Sequence, residues 1–209
     1  MNYFLTGGTG FIGRFLVPKL LDRGATIYLL VRRESMPKLD ALRDLWGADD
    51  DQVIAVEGDL SKPRLGVKPA GKIQHFFHLA AIYDMEADAE SQRVSNVNGT
   101  RQALALGRAL KAGCFHHVSS IAAAGLYEGT FTEDMFEEAG DLDHPYFLTK
   151  HESEGLVRKE KELKWRIYRP GMGVGHSETG EMDKIDGPYY FFELLRNISR
   201  VTPEGLPLV

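Results

Sequence analysis

Tyr146 and Lys150, four residues apart in Tyr-Phe-Leu-Thr-Lys, are the pair in this sequence best suited to move a proton. At helical spacing both side chains lie on one face. An unperturbed phenol titrates near 10, and a neighbouring ammonium favours the phenolate, so the pair suits general acid–base work near neutrality. Two hydroxyls, Ser119 and Ser120, follow residues 115–118, which read as a strand. Far upstream, Thr6-Gly7-Gly8-Thr9-Gly10-Phe11-Ile12-Gly13 joins another apolar run to a helical pattern. In such a strand–turn–helix, Gly7 serves the tight turn, Gly10 lets backbone approach a pyrophosphate, and Gly13 allows close packing of helix on strand. The helix N-terminus then offers N–H groups and a positive dipole end to phosphates. A dinucleotide is the ligand this pattern implies.

The elements needed to position these groups alternate along the chain. Residues 1–5 read as a buried strand, and Phe11, Ile12, Phe15, Leu16, Leu20 and Leu21 form a helical face closed by the glycine stop at Gly24. Residues 26–31 give a second strand, completing a βαβ unit. At the end of such a strand an acid would hold a ribose 2′-OH, whereas arginine accommodates a 2′-phosphate. Here Arg32-Arg33 stands, with the first acid at Glu34, so NADP(H) is favoured over NAD(H). A helix over 38–46, a third strand over 52–57 and Gly58-Asp59-Leu60 follow; Asp59 could accept from an adenine amino group or cap its turn. A fourth strand over 73–79 ends in Ala80-Ala81, small enough for backbone to pass close to a cofactor. A long helical pattern spans 86–112, and the segment carrying Tyr146 reads as helical to residue 161. This alternation predicts an α/β fold: a Rossmann-type doubly wound parallel sheet with helices on both faces, whose ligands lie beyond the carboxyl ends of the strands.

Composition narrows the function. The 209 residues are 43% hydrophobic and 26% charged, enough for one domain and part of another. A net charge of −5 without a Lys/Arg block argues against nucleic acid. No apolar run reaches the roughly 20 residues of a membrane span. The chain runs directly into its first strand without a leader pattern, so the cytoplasm is the expected location. The single cysteine, Cys114, reads as a small strand residue. His75, His78, His116, His117, His144, His151 and His176 lack acidic or cysteine companions at ligand spacing, so no metal is expected. The acidic residues Glu133, Asp134, Glu137 and Glu138 read as a solvated face.

Taken in order, these motifs resemble the extended short-chain dehydrogenase/reductase family: TGxxGxxG at Thr6 to Gly13, NxxG at Asn96 to Gly99, and a serine five residues before a glycine at Ser120 and Gly125. YxxxK falls at Tyr146 and Lys150, and RPG at Arg169-Pro170-Gly171. The resemblance implies nicotinamide-dependent carbonyl chemistry. Tyr146 would be the proton donor, Ser120 would polarise the carbonyl with Ser119 as the alternative, Lys150 would bind ribose and tune Tyr146, and Asn96 would support a relay water. The cofactor would lie along Thr6, Gly7, Gly8, Thr9, Gly10, Phe11, Ile12, Gly13, Arg32, Arg33, Asp59, Leu60, Ala80, Lys150, Pro170 and Gly171.

The stretches 116–125, 144–154, 168–171 and 176–180 are similar to bacterial NADPH-dependent fatty acyl-CoA reductases. The implied substrate is a small molecule, an acyl-CoA or an aldehyde. The implied organisation is an NADP-binding domain over 1–170 followed by a partial substrate-binding region over 171–209, whose aromatic stretch 187–195 would line an acyl tunnel or pack against the sheet, a membrane-surface helix being disfavoured by the lack of a strongly basic face. A homodimer through the helices of Asn96 and Tyr146 is expected. Sterol-, flavonoid- or sugar-type substrates, and a non-catalytic NADP-binding module, are the alternatives.

Overall fold

The structure is a computed structural model that describes residues 1–68, 71–81, 88–182 and 189–201. Six parallel strands form one sheet in the order β3-β2-β1-β4-β5-β6. They are β1 (Asn2–Thr6), β2 (Thr26–Val31), β3 (Val53–Glu57), β4 (His75–His78), β5 (Cys114–Val118) and β6 (Trp165–Tyr168). The order reverses between β1 and β4, which opens a crevice beyond their carboxyl ends. The doubly wound fold read from the sequence is therefore present.

Both faces of the sheet are covered, as period-2 strands between amphipathic helices require. On one face Val17 and Leu20 of α1 (Phe11–Leu21) and Leu39 of α2 (Met36–Trp46) pack on Tyr3, Leu5, Ile27, Leu29 and Val53. On the other, Ala103, Leu104 and Leu106 of α4 (Gly99–Ala109) and Val157 of α5 (Pro145–Arg158) cover Phe4, Phe76 and Phe115. Those three phenylalanines are in register across β1, β4 and β5, with ring centroids 4.8 and 5.1 Å apart. Each contributes about 1.5–3 kcal/mol by leaving water.

Several boundaries differ from the sequence reading. The long helix expected over 86–112 is α3 (Ala89–Gln92), a π-helical turn (Arg93–Asn98) and α4; residues 86 and 87 lie outside the described residues. It ends at Ala109 because Lys111 takes a left-handed conformation (φ 50°). The helix of Tyr146 stops at Arg158, short of residue 161, as Glu160 turns to pair with Arg108 and accept from the Glu162 N–H. Cys114 is half-buried at the start of β5. The acidic residues 133, 134, 137 and 138 are exposed, as read.

The chain divides into two compact units, Met1–Pro170 and Gly171–Val209. Within the second, residues 176–181 form a turn closed by the Gly180 N–H on the His176 carbonyl, and α6 runs Tyr189–Val201. The Tyr189 hydroxyl accepts from the Gly175 N–H at 2.8 Å. Of the aromatic stretch 187–195, Gly187 and Pro188 lie outside the described residues, and the remainder is helical. No helix among the described residues is long and apolar enough to cross a membrane.

Candidate active site

Gly7 sits where β1 meets the end of β4. Its φ of 73° is left-handed, and a Cβ there would lie 2.6 Å from the Ala80 nitrogen. A side chain at Gly8 would meet Leu29 of β2, and one at Gly13 would run into the Gly8 backbone. Gly13 thus lets α1 pack on the turn itself rather than on the strand. Gly10 is the exposed N-cap of α1, without a side-chain cap and without an acid in the first turn. The cradle from Thr6 through Thr9 to Phe11 and Ile12 therefore presents uncapped N–H groups with no competing carboxylate. It fits the pyrophosphate of a dinucleotide.

The other residues expected to hold a cofactor follow the ends of strands β2, β3, β4 and β6. Arg32 and Arg33 follow β2; Arg32 Nε lies 3.2 Å from Glu34 Oε1 in an exposed pair that holds neither side chain firmly. Asp59 Oδ1 accepts from the Ser61 hydroxyl at 2.6 Å and the Ser61 N–H at 2.8 Å, so turn capping is the role its geometry displays. Those hydrogen bonds hold its carboxyl below the usual range. Leu60 packs against the core directly under Gly99, which explains the glycine of NxxG: a Cβ there would come within 3.3 Å of the Leu60 side chain. Ala80 follows β4, its N–H reaching Thr6 Oγ1 at 3.3 Å. The Pro170 carbonyl accepts from the Ile121 N–H, and Gly171 begins the second unit.

On the acid side, the two serines have different duties. Ser119 is buried and donates to Glu154 Oε2 at 2.7 Å, which commits its proton. Ser120 Oγ accepts from the Ala122 N–H at 3.1 Å at the head of a 3₁₀ turn (Ile121–Ala124), leaving its proton to donate elsewhere. Tyr146 and Lys150 share one face of α5, which starts on Pro145 and is capped by His144 Nδ1 accepting from the Tyr146 N–H at 3.1 Å. Lys150 is buried, and its Nζ donates to the Val118 carbonyl at 3.0 Å. Burial lowers its pKa to about 8, against the pull of Glu154, which favours the charged form. Asn96 lies in the π-helical turn, a feature that recurs at functional sites. Its Nδ2 donates to Thr149 Oγ1 at 3.3 Å, and Thr149 donates in turn to the Tyr146 carbonyl at 3.2 Å.

The sequence reading assigned no role to Glu154. It is fully buried, and burial pushes its carboxyl up, but hydrogen bonds from Arg169, Ser119 and Arg158 outweigh that and hold it low. Arg169 also donates to the Thr132 and Met135 carbonyls and Arg158 to that of Glu133, so one carboxylate ties together α5, the ends of β5 and β6, and the 132–135 loop. The signal was legible: Tyr146, Lys150 and Glu154 repeat at four-residue spacing on one helical face. Among the described residues no group of three His, Cys, Asp or Glu side chains could hold a metal.

Residues 5–205 match the family described as Male sterility protein. The chain is 33% identical over 204 residues to one component of the linear gramicidin synthase of Brevibacillus parabrevis, covering 87% of this chain and 4% of that one. It is 31% identical over 213 residues to the aldehyde reductase lnaA of Aspergillus flavus, covering 88% and 20%. Among solved structures, it is similar to the terminal R domain of the myxalamid PKS-NRPS biosynthetic pathway, with a TM-score of 0.72 and 29% identity over 85% of this chain and 50% of that one. The chain thus spans half or less of the length of each of these proteins.

Proposed function

Because the chain belongs to the Male sterility protein family, whose fold is that of the extended short-chain reductases, we propose that it is an NADPH-dependent reductase of a carbonyl carried by an acyl chain, either a fatty acyl thioester or a fatty aldehyde. The observation that carries this reading is that an uncapped helix N-terminus follows β1, while a serine with its proton free and the Lys150 that donates to Val118 stand at the carboxyl end of β5, one strand away across β4 in the same parallel sheet. The relative named aldehyde reductase and the acyl-CoA reductase resemblance of the stretches around Ser120, Tyr146 and Arg169 support the substrate class. Arg32 and Arg33 support NADPH over NADH, since Glu34, the partner of Arg32, is too exposed to compete strongly with a 2′-phosphate.

The bound nicotinamide would supply the hydride. The chain's own residues do the rest. The turn from Thr6 to Gly13 anchors the pyrophosphate, and Lys150 faces the ribose. Ser120 donates to the carbonyl oxygen on which negative charge grows, and Tyr146 donates there too, giving up its proton when an aldehyde becomes an alcohol. With a thioester, thiolate leaves and an aldehyde results. Removing one such donor typically costs on the order of 10²–10³ in kcat.

The test is NADPH oxidation with long-chain acyl-CoA, fatty aldehyde and a panel of ketones, products identified, beside Tyr146→Phe and the double variant Arg32→Ala/Arg33→Ala. The reading expects turnover with the acyl substrates, its loss in Tyr146→Phe, and a narrowed preference for NADPH in the double variant. Full activity in Tyr146→Phe would overturn it. The second unit and a homodimer through the helices of Asn96 and Tyr146 belong to the same reading, and a monomer by light scattering at high concentration would remove the dimer from it.

A further inference from the structure

We propose that His78 is a positioning residue whose ring, fixed in a single tautomer, ties the dinucleotide turn to the backbone that presents Asn96 and Tyr146. This rests on the reading above, in which those two residues belong to the reductase machinery.

Each hydrogen bond along the path has one allowed direction. The Asn96 carbonyl can only accept, so the Thr100 hydroxyl, 2.6 Å away, gives its proton there. His78 Nε2 lies 3.1 Å from Thr100 Oγ1 and must therefore be the donor. The ring is fully buried and neutral, its pKa lowered to about 3 by burial and then by the Lys150 charge, so it carries one proton and Nδ1 keeps a lone pair. Thr6 Oγ1, 2.7 Å from Nδ1, donates to it, and is itself reached by the Ala80 N–H. The chain runs from Ala80 to Thr6, His78, Thr100 and the Asn96 carbonyl. From Asn96 the path continues through its amide to Thr149 and on to the Tyr146 carbonyl.

The endpoints give the path its meaning. Thr6 is the residue before Gly7, and Ala80 is the residue against which Gly7 is pressed. At the far end Asn96 sits in a π-helical turn, where the helix departs from its ordinary ladder and a side chain, Thr100, supplies a partner for the carbonyl. Buried and fully paired, such a string fixes geometry; breaking one link leaves a polar group with neither protein nor water.

Thr100→Val removes both hydroxyl links, to His78 and to the Asn96 carbonyl, at constant shape, Thr100→Ser keeps them, and His78→Phe removes both ring contacts. With NADPH and the acyl substrate, Thr100→Val is expected to lose about tenfold or more in kcat, as small misplacements do, with KM for NADPH nearly unchanged and Thr100→Ser restoring the wild-type rate. Imidazole ¹⁵N resonances should show His78 protonated at Nε2 alone. Amide shifts at Asn96 and Tyr146 on adding NADP⁺ should persist in Thr100→Ser and vanish in Thr100→Val. An Nδ1–H tautomer, or a Thr100→Val protein with unaltered kcat and unaltered shift transmission, overturns the proposal. A wild-type protein inert toward every carbonyl would sink the functional reading, while the tautomer and the transmitted shifts would still decide this one. Should His78→Phe fail to fold, the Thr100 pair carries the comparison.

Discussion

At the scale of single residues, the charge on Lys150 sets a pH limit. Burial lowers its pKa to about 8 while Glu154 raises it. The proposed reduction needs protonated Tyr146 beside charged Lys150, so under that proposal kcat/KM for reduction should fall as pH rises through about 8. Glu154→Gln removes the group that favours the ammonium, so the falling limb should move to lower pH, whereas a role in packing alone would lower the rate and leave the limb in place. A pH–rate profile of both proteins decides between these. The Tyr/Lys pair, the glycine turn and Arg32-Arg33 were readable as residue types at diagnostic spacing. The division of labour between Ser119 and Ser120 was not, because it depends on which hydroxyl a buried carboxylate from another element takes. His78 reads in the sequence only as a histidine without metal-ligand companions, since nothing local reveals that Thr6 and Thr100 flank it.

At the scale of elements, the sequence pattern placed the first five strands and the cores of the helices among them, without a range for β6, and the errors fall at ends and kinks. The π-helical turn and the stop at Arg158 answer to tertiary partners that a local pattern does not contain. Glycine makes the same point quantitatively. Gly7 and Gly24 have nearly the same φ, 73° and 67°, yet a Cβ at Gly7 would strike the backbone of Ala80 while one at Gly24 would meet nothing within 4 Å. Gly24→Ala should therefore cost only the left-handed penalty, about 1–2 kcal/mol. Gly7→Ala should cost clearly more, because β1 and β4 must also move apart, and it should abolish dinucleotide binding. Urea unfolding of the two variants, with NADP⁺ titration, measures both; equal losses would mean the turn relaxes freely.

For the molecule as a whole, three buried histidines make Met1–Pro170 sensitive to mild acid. His116 is lowered to about 4 by burial, with His75 and Arg166 adding to it, and His117 lies well below its usual value because of burial, Lys150 and His78; His78 itself is at about 3. Their folded-state values lie below the unfolded one, so the unfolded chain binds protons that the folded one refuses. Stability is present above about pH 6.5 and drains away as pH falls toward the folded values. Between pH 6.5 and 5.5 each should cost about 1 kcal/mol, about 3 kcal/mol for the three. Glu154 and Asp59, held low, stay charged in that window, and Lys150 stays protonated, so none of them offsets the loss. Urea midpoints at the two pH values test this, and a difference below about 1 kcal/mol would mean these rings are already charged in the folded protein.

The strand order has one more consequence, for the order of assembly. β1 pairs on one side with β2, close in sequence, and on the other with β4, whose residues arrive much later. During synthesis at roughly 5–20 residues per second, the β1–β2–β3 half can close while the second edge of β1 stands bare for about 1–4 seconds until β4 (His75–His78) emerges. Phe4, which will stack on Phe76, is on that bare strand, so the nascent chain offers an unpaired edge and an uncovered aromatic ring two residues before the glycine turn of the finished protein begins.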